Sequence, residues 1–388
     1  MIMNNSPQIY VSVDIGCRQH SVAIGLSNGD VLDEFAILHR LEGFKQFFER
    51  IEHHRQHHGG AVAVAMEGYN GYARPLDSLV KVRGYQLYNI NNLKLARFKE
   101  IFPAAAKNDR IDACKGLELF QLRDHLPLAK DVLQEIMPTP RENDMLKRLS
   151  RRRRALVDEK SRLQSRLQGD LHAVCPGLLD ITKDADNLWF LRFITSVDEL
   201  TKLSCLRVST LLKIPGVGRK YADSIVAWQS HASFSHEVEW VGEMIIEDAR
   251  RILALKNDIK ALELRCKMLM QESQAAQLID SIPGFAVICA SELASEIGTI
   301  DRFASERSLA LYLGMANLDN SSGKFRGSKA PQHVNKRAKG AMMAAVDKHR
   351  NAYLNHSVTM RKNGLRENHI IRQFGRLADS FAVLYSEC

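Results

Sequence analysis

Three short apolar runs open the chain. IYVSVDI carries Asp14 near its end, HSVAIGL alternates, and VLDEFAIL follows the turn signal NGD at 28–30. Strand-length runs separated by a tight turn predict a three-strand meander. LEGFKQFFERIEHHRQHHGG then spaces its apolar residues as one helix face and stops at Gly59-Gly60. AVAVAMEG, residues 61–68, is an unbroken apolar run of the buried-strand kind, with Glu67 at its end. YARPLDSLVKVRG predicts a helix, YQLYNIN a strand and NLKLARFKEIF a further helix. Strands and helices alternating in this order predict an α/β layer on a mixed sheet.

Pro138 and Pro140 interrupt the chain, and from Arg141 the pattern becomes helical, with Leu149, Leu156 and Leu163 one heptad apart. Ile252, Leu255, Ile259, Leu262, Cys266 and Leu269 fall on a and d positions between charged residues. A coiled-coil hairpin or an oligomer seam satisfies this spacing, and so does an amphipathic helix on its own core. Between and after these helices a pattern occurs twice, as LLKIPGVGRKYADSIVAW (211–228) and LIDSIPGFAVICASELASEI (278–297). Both read Ile-Pro-Gly, and Ala222 and Ala290 stand at the same offset from their glycines. The pattern resembles the turn of helix-hairpin-helix modules, in which glycines let backbone N–H groups face a phosphate. The first copy, followed by Arg219 and Lys220, suits a phosphate better; a plain turn between helices explains either copy.

Charge changes this picture. The 388 residues carry a net +9, and residues 321–388 alone hold seven Arg and six Lys against four carboxylates. A second basic stretch is SRRRRALVDEKSRLQSR, residues 150–166. Two such concentrations favour a polyanionic partner over a solvated helix face, since Lys and Arg on phosphates release counterions. Seven cysteines without a CxxC pair support neither a disulfide framework nor a zinc module. With no long apolar run and no signal-peptide pattern at the start, no membrane partner is expected, and a reducing cytoplasm is. The HHRQHH stretch at 53–58 has i, i+4 histidine pairs, read as a polar helix end rather than a metal site. Cys114 reads as a small buried residue, and Trp189, Trp228 and Trp240 as packing.

Four carboxylates stand at strand or helix ends. Asp14 and Glu67 end strands, while Asp109 and Asp112 in KNDRIDACKGLEL share one face of a helix. Singly, each is an ordinary cap or an exposed side chain. Together they can converge at one sheet edge, where carboxylates hold Mg²⁺ and the ion activates one oxygen and stabilises another. Near the other end, GMANLDNSSGKFRGSKAPQ (314–332) puts Ser321 and Ser322 before a glycine with basic residues downstream. The composition suits a turn as well as a presented nucleophile.

VSVDIGCRQHSVAI, VAMEGYNGYARPLDSLVKVRGYQLYNINNLKLARF, KNDRIDA and IPGFAVICASELASEIGTIDRFASERSLALYLGM followed by SSG resemble, in this order, the DEDD recombinases of the insertion-sequence 110 family. The resemblance extends to that family's 1111 branch and to Piv-type DNA invertases, and covers about 250 residues. It implies a RuvC-like, ribonuclease-H-like α/β nuclease domain over 1–138. A helical coiled-coil connector with the helix-hairpin-helix-like segment follows over 139–275. A mainly α transposase domain carrying a serine occupies 276–388. By the same resemblance Asp14, Glu67, Asp109 and Asp112 bind Mg²⁺, as two ions. Ser322, with Ser321 as its competitor, attacks DNA and forms a covalent phosphoserine link before strands are exchanged. The serine and carboxylates then meet between domains, and between protomers, of a dimer or tetramer.

Lys324, Arg326, Lys329, Lys336, Arg337 and Lys339 become candidate phosphate contacts, beside Arg151, Arg152, Arg153, Arg154, Arg219 and Lys220. Donor and target DNA are the implied substrates, with a structured guide RNA in many members. Three departures touch the loop path and the connector. Asn317 stands where the family has proline, NKRAKGA has Ala338 and Lys339 in place of K-x-G-N, and residues 175–240 are long. Competing readings are a RuvC-type junction endonuclease using water, a site-specific invertase, and a decayed DNA-binding relative. The presence of all four carboxylates and the serine counts against decay.

Overall fold

In a computed structural model of the protein the described residues are 9–68, 71–101, 109–124, 132–324, 326–331 and 334–354, the side chains of 109, 124 and 349–354 excepted. The chain forms two compact units, Met1–Pro138 and Thr139–Cys388.

The first unit is a six-stranded mixed sheet with helices on both faces. Its strands are β1 (Ile9–Ile15), β2 (Gln19–Leu26), β3 (Val31–Leu38), β4 (Val62–Glu67), β5 (Gln86–Ile90) and β6 (Leu133–Glu135), in the order β3-β2-β1-β4-β5-β6. β1, β4 and β5 run parallel, and β2, β3 and β6 pair antiparallel to their neighbours. The helices are α1 (Leu41–His58), α2 (Arg74–Val82), α3 (Asn92–Lys99) and α4 (Asp109–Gln121).

The period-two alternation of the strands sorts the core. Ile9, Val11 and Val13 of β1 and Val62, Val64 and Met66 of β4 face Phe47 and Ile51 of α1 and Leu76 and Val80 of α2. Tyr10 of β1, Ala63 and Ala65 of β4 and Tyr88 of β5 face Leu95 of α3 and Ala113, Leu117 and Phe120 of α4. β4 is covered on both faces, which is why its sequence is continuously apolar. The expected strands and helices of this unit form, with the α1 helix ending before Gly59. The short β6 has no signal of its own, because three residues are too few to show a period.

Among its described residues the second unit is helical apart from one ribbon: α5 (Arg141–Val174), α6 (Leu188–Ile194), α7 (Val208–Leu211), α8 (Arg219–Gln229), α9 (Val238–Met270), α10 (Gln274–Asp280), α11 (Val287–Ile297), α12 (Glu306–Leu313), β7 (Leu318–Asp319), β8 (Ser328–Lys329) and α13 (Lys336–Leu354). The 34 residues of α5 and 33 of α9 pack along each other. Ion pairs Arg153–Glu263, Arg251–Glu159 and Arg166–Asp248 fix their directions as antiparallel. The heptad residues Ile252, Leu255, Cys266 and Leu269 are buried.

Each end of this helix pair has its own core. Leu167, Leu171 and Val174 of α5 and Ile245 to Ile252 of α9 pack with α6, α7 and α8. At the opposite end Leu146 of α5 and Cys266 to Met270 of α9 pack with α10 to α13. The stretch expected as a connector and the residues after 275 thus share one core, because α5 and α9 supply part of its wall. The two Ile-Pro-Gly copies adopt the same turn. Gly216 and Gly284 have φ of 95° and 97°, and Val217 and Phe285 donate to the carbonyls of Ile214 and Ile282 at 3.0 Å. A positive φ of this size is free only to glycine. Ala222 and Ala290 are both fully buried. Trp189 and Trp228 pack as expected; Trp240 does not, standing 58% exposed on the outer side of α9.

Candidate active site

Asp14 and Glu67 are paired positions on the adjacent parallel strands β1 and β4. Alternation puts both on the sheet face that α3 and α4 cover, beyond Tyr10 and Ser12 on one strand and Ala63 and Ala65 on the other. α4 brings Asp112 to the same edge. Its close approach rests on Gly116, one turn further on, where a Cβ would sit 3.2 Å from Ile90 Cδ1 and collide with the Ser12 hydroxyl. Ala113, Gly116, Leu117 and Phe120 form the buried stripe of α4, and Asp112 borders it.

The centre of the site is a residue that no motif marks. Lys99, the last residue of α3, places Nζ 2.8 Å from Asp112 Oδ1 and 3.7 Å from Glu67 Oε2. Among the described residues Glu67 Oε2 is buried without a hydrogen bond. Burial pushes the Glu67 carboxyl up to about 7; Lys99 opposes the rise, and the charges of Asp14 and Asp112 add to it. Asp14, Glu67, Asp112 and Lys99 therefore form one electrostatic cluster. Asp109 opens α4, but its side chain lies outside those described.

Among the described residues no three His, Cys, Asp or Glu side chains surround a common point as a metal shell. Asp112 and Glu67 stand around a lysine ammonium instead, with the charge of Asp14 acting on Glu67. Their chemistry still fits a hard divalent cation: anionic oxygens, one of them buried and unbonded, with a cation already between two of them. His53 to His58 offer no such set, since His54 pairs with Asp33 at 3.5 Å and the rings of His53 and His57 pack at 4.6 Å.

The serine pair lies in the second unit, on the loop between β7 and β8. Both side chains are exposed, and no hydrogen bond engages either hydroxyl among the described residues. Gly323 follows with φ 57°, a left-handed turn open on all sides. The downstream foot of this ribbon is fixed by Asn335. Its side-chain oxygen accepts from the backbone N–H groups of Arg337 and Ala338, capping α13. Its amide donates to Glu296 Oε2 at 2.9 Å and to the Tyr312 hydroxyl at 2.6 Å. Arg151 in turn holds Glu296 through two bonds of 2.7 and 2.9 Å. Ala338, one of the departures from the family pattern, is fully buried in the core beneath α13.

The basic positions divide. Arg151 and Arg154 clasp Glu296 and Glu292, which are 1% and 5% exposed, and Arg153 pairs with Glu263. All three, expected from sequence as phosphate contacts, are ion-paired within the unit, Arg151 and Arg154 to the two buried carboxylates that α11 presents. Arg152 and Lys220 are exposed without an ion pair among the described residues, and Arg219 pairs loosely with Asp223 at 3.4 Å. Lys324, Arg326, Lys329, Lys336, Arg337 and Lys339 are all exposed along the ribbon and the start of α13.

A mixed sheet with carboxylates clustered at one edge, in a chain that also exposes a serine pair and a basic ribbon, fits a nucleic-acid-processing class of protein, and the comparisons specify it. A family model of DEDD transposases of the IS110 type, described as a transposase, matches residues 11–176, and one for the transposase IS116/IS110/IS902 family matches 276–357. The chain belongs to the IS110 family of transposases, enzymes that cleave and rearrange DNA.

Its relatives include an uncharacterized 44.8 kDa protein of insertion element IS116 from Streptomyces clavuligerus, 23% identical over 85% of this chain and 82% of the relative. An uncharacterized 43.6 kDa protein of insertion element IS110 from Streptomyces coelicolor is 24% identical over 71% and 68%. An uncharacterized 42 kDa protein of IS900 from Mycobacterium paratuberculosis is 25% identical over 72% and 70%. No helix among the described residues is long and apolar enough to cross a membrane.

Proposed function

We propose that this transposase cuts and rejoins DNA through a covalent bond to Ser322, in a reaction that needs Mg²⁺ held by Asp14, Glu67, Asp112 and Asp109. The observation that carries the reading is the paired register of Asp14 and Glu67 on β1 and β4, with Asp112 brought to the same edge by α4. Three antiparallel strands followed by two parallel ones support a ribonuclease-H-like, RuvC-like assignment of the first unit. Mg²⁺ would polarise the scissile phosphate and stabilise the departing oxygen.

The protein's own groups do the rest. The Ser322 hydroxyl gives its proton to a base and its Oγ bonds to phosphorus, while the sugar oxygen leaves and takes up a proton. A sugar hydroxyl of the second strand later attacks the phosphoserine and frees Ser322. An unaided serine hydroxyl is a weak nucleophile at neutral pH. Its exposure on a glycine turn gives a bulky phosphodiester access. Lys324, Arg326, Lys329 and Arg337 would hold the backbone of donor or target DNA. The same surface suits a structured guide RNA, whose phosphates make the same demand.

Because the carboxylate cluster belongs wholly to the first unit, attack by water is the rival reading. A denaturing-gel assay with Mg²⁺ and DNA bearing the element's junction, with and without its flanking RNA, separates the two. The serine reading expects a protein–DNA adduct that survives Ser321→Ala and disappears in Ser322→Ala and Asp14→Ala. Cleavage without adduct that persists in Ser322→Ala would establish water attack.

A further inference from the structure

We propose that Lys99 is the resident counter-ion of the carboxylate cluster, displaced when a divalent cation enters, so that it sets how tightly the site binds metal. The inference rests on the metal-dependent reading of the same site and concerns a residue outside its carboxylate motif. Lys99 Nζ lies between Asp112 and Glu67, at 2.8 and 3.7 Å, on the sheet edge that holds Asp14. That is where a cation bridging these groups would sit.

The bond pattern is that of a placeholder. Lysine is a point charge on a flexible stem, whereas the planar arginine fork grips a carboxylate through two bonds. Arg154 and Arg151 form such forks on Glu292 and Glu296. Lys99 makes one short contact, and among the described residues Glu67 Oε2 has no hydrogen bond. Its side chain is 26% exposed, so the ammonium has a path to water. As the last residue of α3 it also has somewhere to go, because the helix C-terminus attracts a cation wherever the side chain turns. The displaced ammonium would remain near the phosphodiester that replaces it as a neighbour of the metal.

The test measures metal binding directly, by Mn²⁺ electron paramagnetic resonance on the full chain at pH 8.5 and low salt, without DNA. A unit charge about 4 Å from a divalent ion shifts binding by roughly tenfold or more. Lys99→Met is therefore expected to bind Mn²⁺ about tenfold more tightly than the unaltered chain. It should also melt lower in EDTA and gain more from added Mn²⁺. Lys99→Arg, which keeps the charge and grips better, should bind more weakly and guards against a folding defect in the first variant. Equal or weaker Mn²⁺ binding by a folded Lys99→Met, with binding still lost in Asp14→Asn, would overturn the role of Lys99 alone. No Mn²⁺ binding to the unaltered chain at millimolar concentration would overturn the metal reading and this inference together.

Discussion

Glu292 and Glu296 on α11 are each gripped by an arginine fork, and Asn335 completes the shell of Glu296. Among the described residues Glu67 on β4 shares Lys99 with Asp112, faces the charge of Asp14, and keeps one oxygen without a hydrogen bond. Both carboxylate groups are buried, but Glu292 and Glu296 are gripped by two-bonded arginines and Glu67 is not. Full pairing holds the Glu296 carboxyl below its ordinary range, despite a burial effect that would raise it, through Arg151 and Asn335. Burial, which Lys99 only partly offsets, pushes Glu67 up to about 7. A satisfied carboxylate stabilises its fold; an under-compensated one on a rigid sheet is available to a ligand.

The comparison is broken most directly by neutralising each side. Asp14→Asn or Glu67→Gln should abolish DNA cleavage, and Glu67→Gln should leave the metal-free protein as stable as before or more so, since a buried charge beside Asp112 and Asp14 is removed. A drop in melting temperature with retained cleavage would reverse the assignment. Glu296→Ala should cost about 3–5 kcal/mol in urea unfolding, the usual effect of breaking a buried pair. Gly116→Ala should cost about 1–3 kcal/mol by overpacking α4 on β1, and should weaken metal binding by moving Asp112 away.

Acidity sharpens the contrast. The Glu67 carboxyl is raised from 4.5 to about 7, so the folded chain holds this proton more tightly than the unfolded one. Its stabilising contribution is present below about pH 4.5 and is lost as pH climbs through about 7. Saturating Mg²⁺ should cancel that loss, which thermal melts across pH with and without the ion would show. The smallest effect belongs to Arg152→Ala. Stability should stay within about 0.5 kcal/mol, while the salt dependence of DNA binding falls by about one unit of slope. Arg154→Ala should do the opposite, destabilising the fold more than it weakens DNA binding.

Much of this was written in the sequence. Asp14 and Glu67 close strand-like runs, and the DxxD spacing placed Asp112 on one face of α4. The two Ile-Pro-Gly copies announced a shared turn. Lys99 was hidden because no spacing links it to Glu67 or Asp112; only the packing of α3 and α4 on one sheet face does. Gly116 reads as a weak point in a helix until Ser12 appears beneath it. The pairing of Arg151 and Arg154 was hidden because their partners, Glu296 and Glu292, come from a distant helix. A charge count sees the cations and misses the carboxylates that fold against them.

The antiparallel pair α5–α9 has a consequence for how such chains can change length. With 34 and 33 residues the two arms are matched, at about 51 Å for the longer. Each end is welded into a different core, so neither arm can grow alone without pulling one core out of register. Insertions and deletions must therefore come in compensating pairs, nearest to whole heptads, about 10.5 Å at a time. Across descendants of this gene, the lengths of two segments separated by more than sixty residues of intervening chain should drift together, as the two rails of a ladder must.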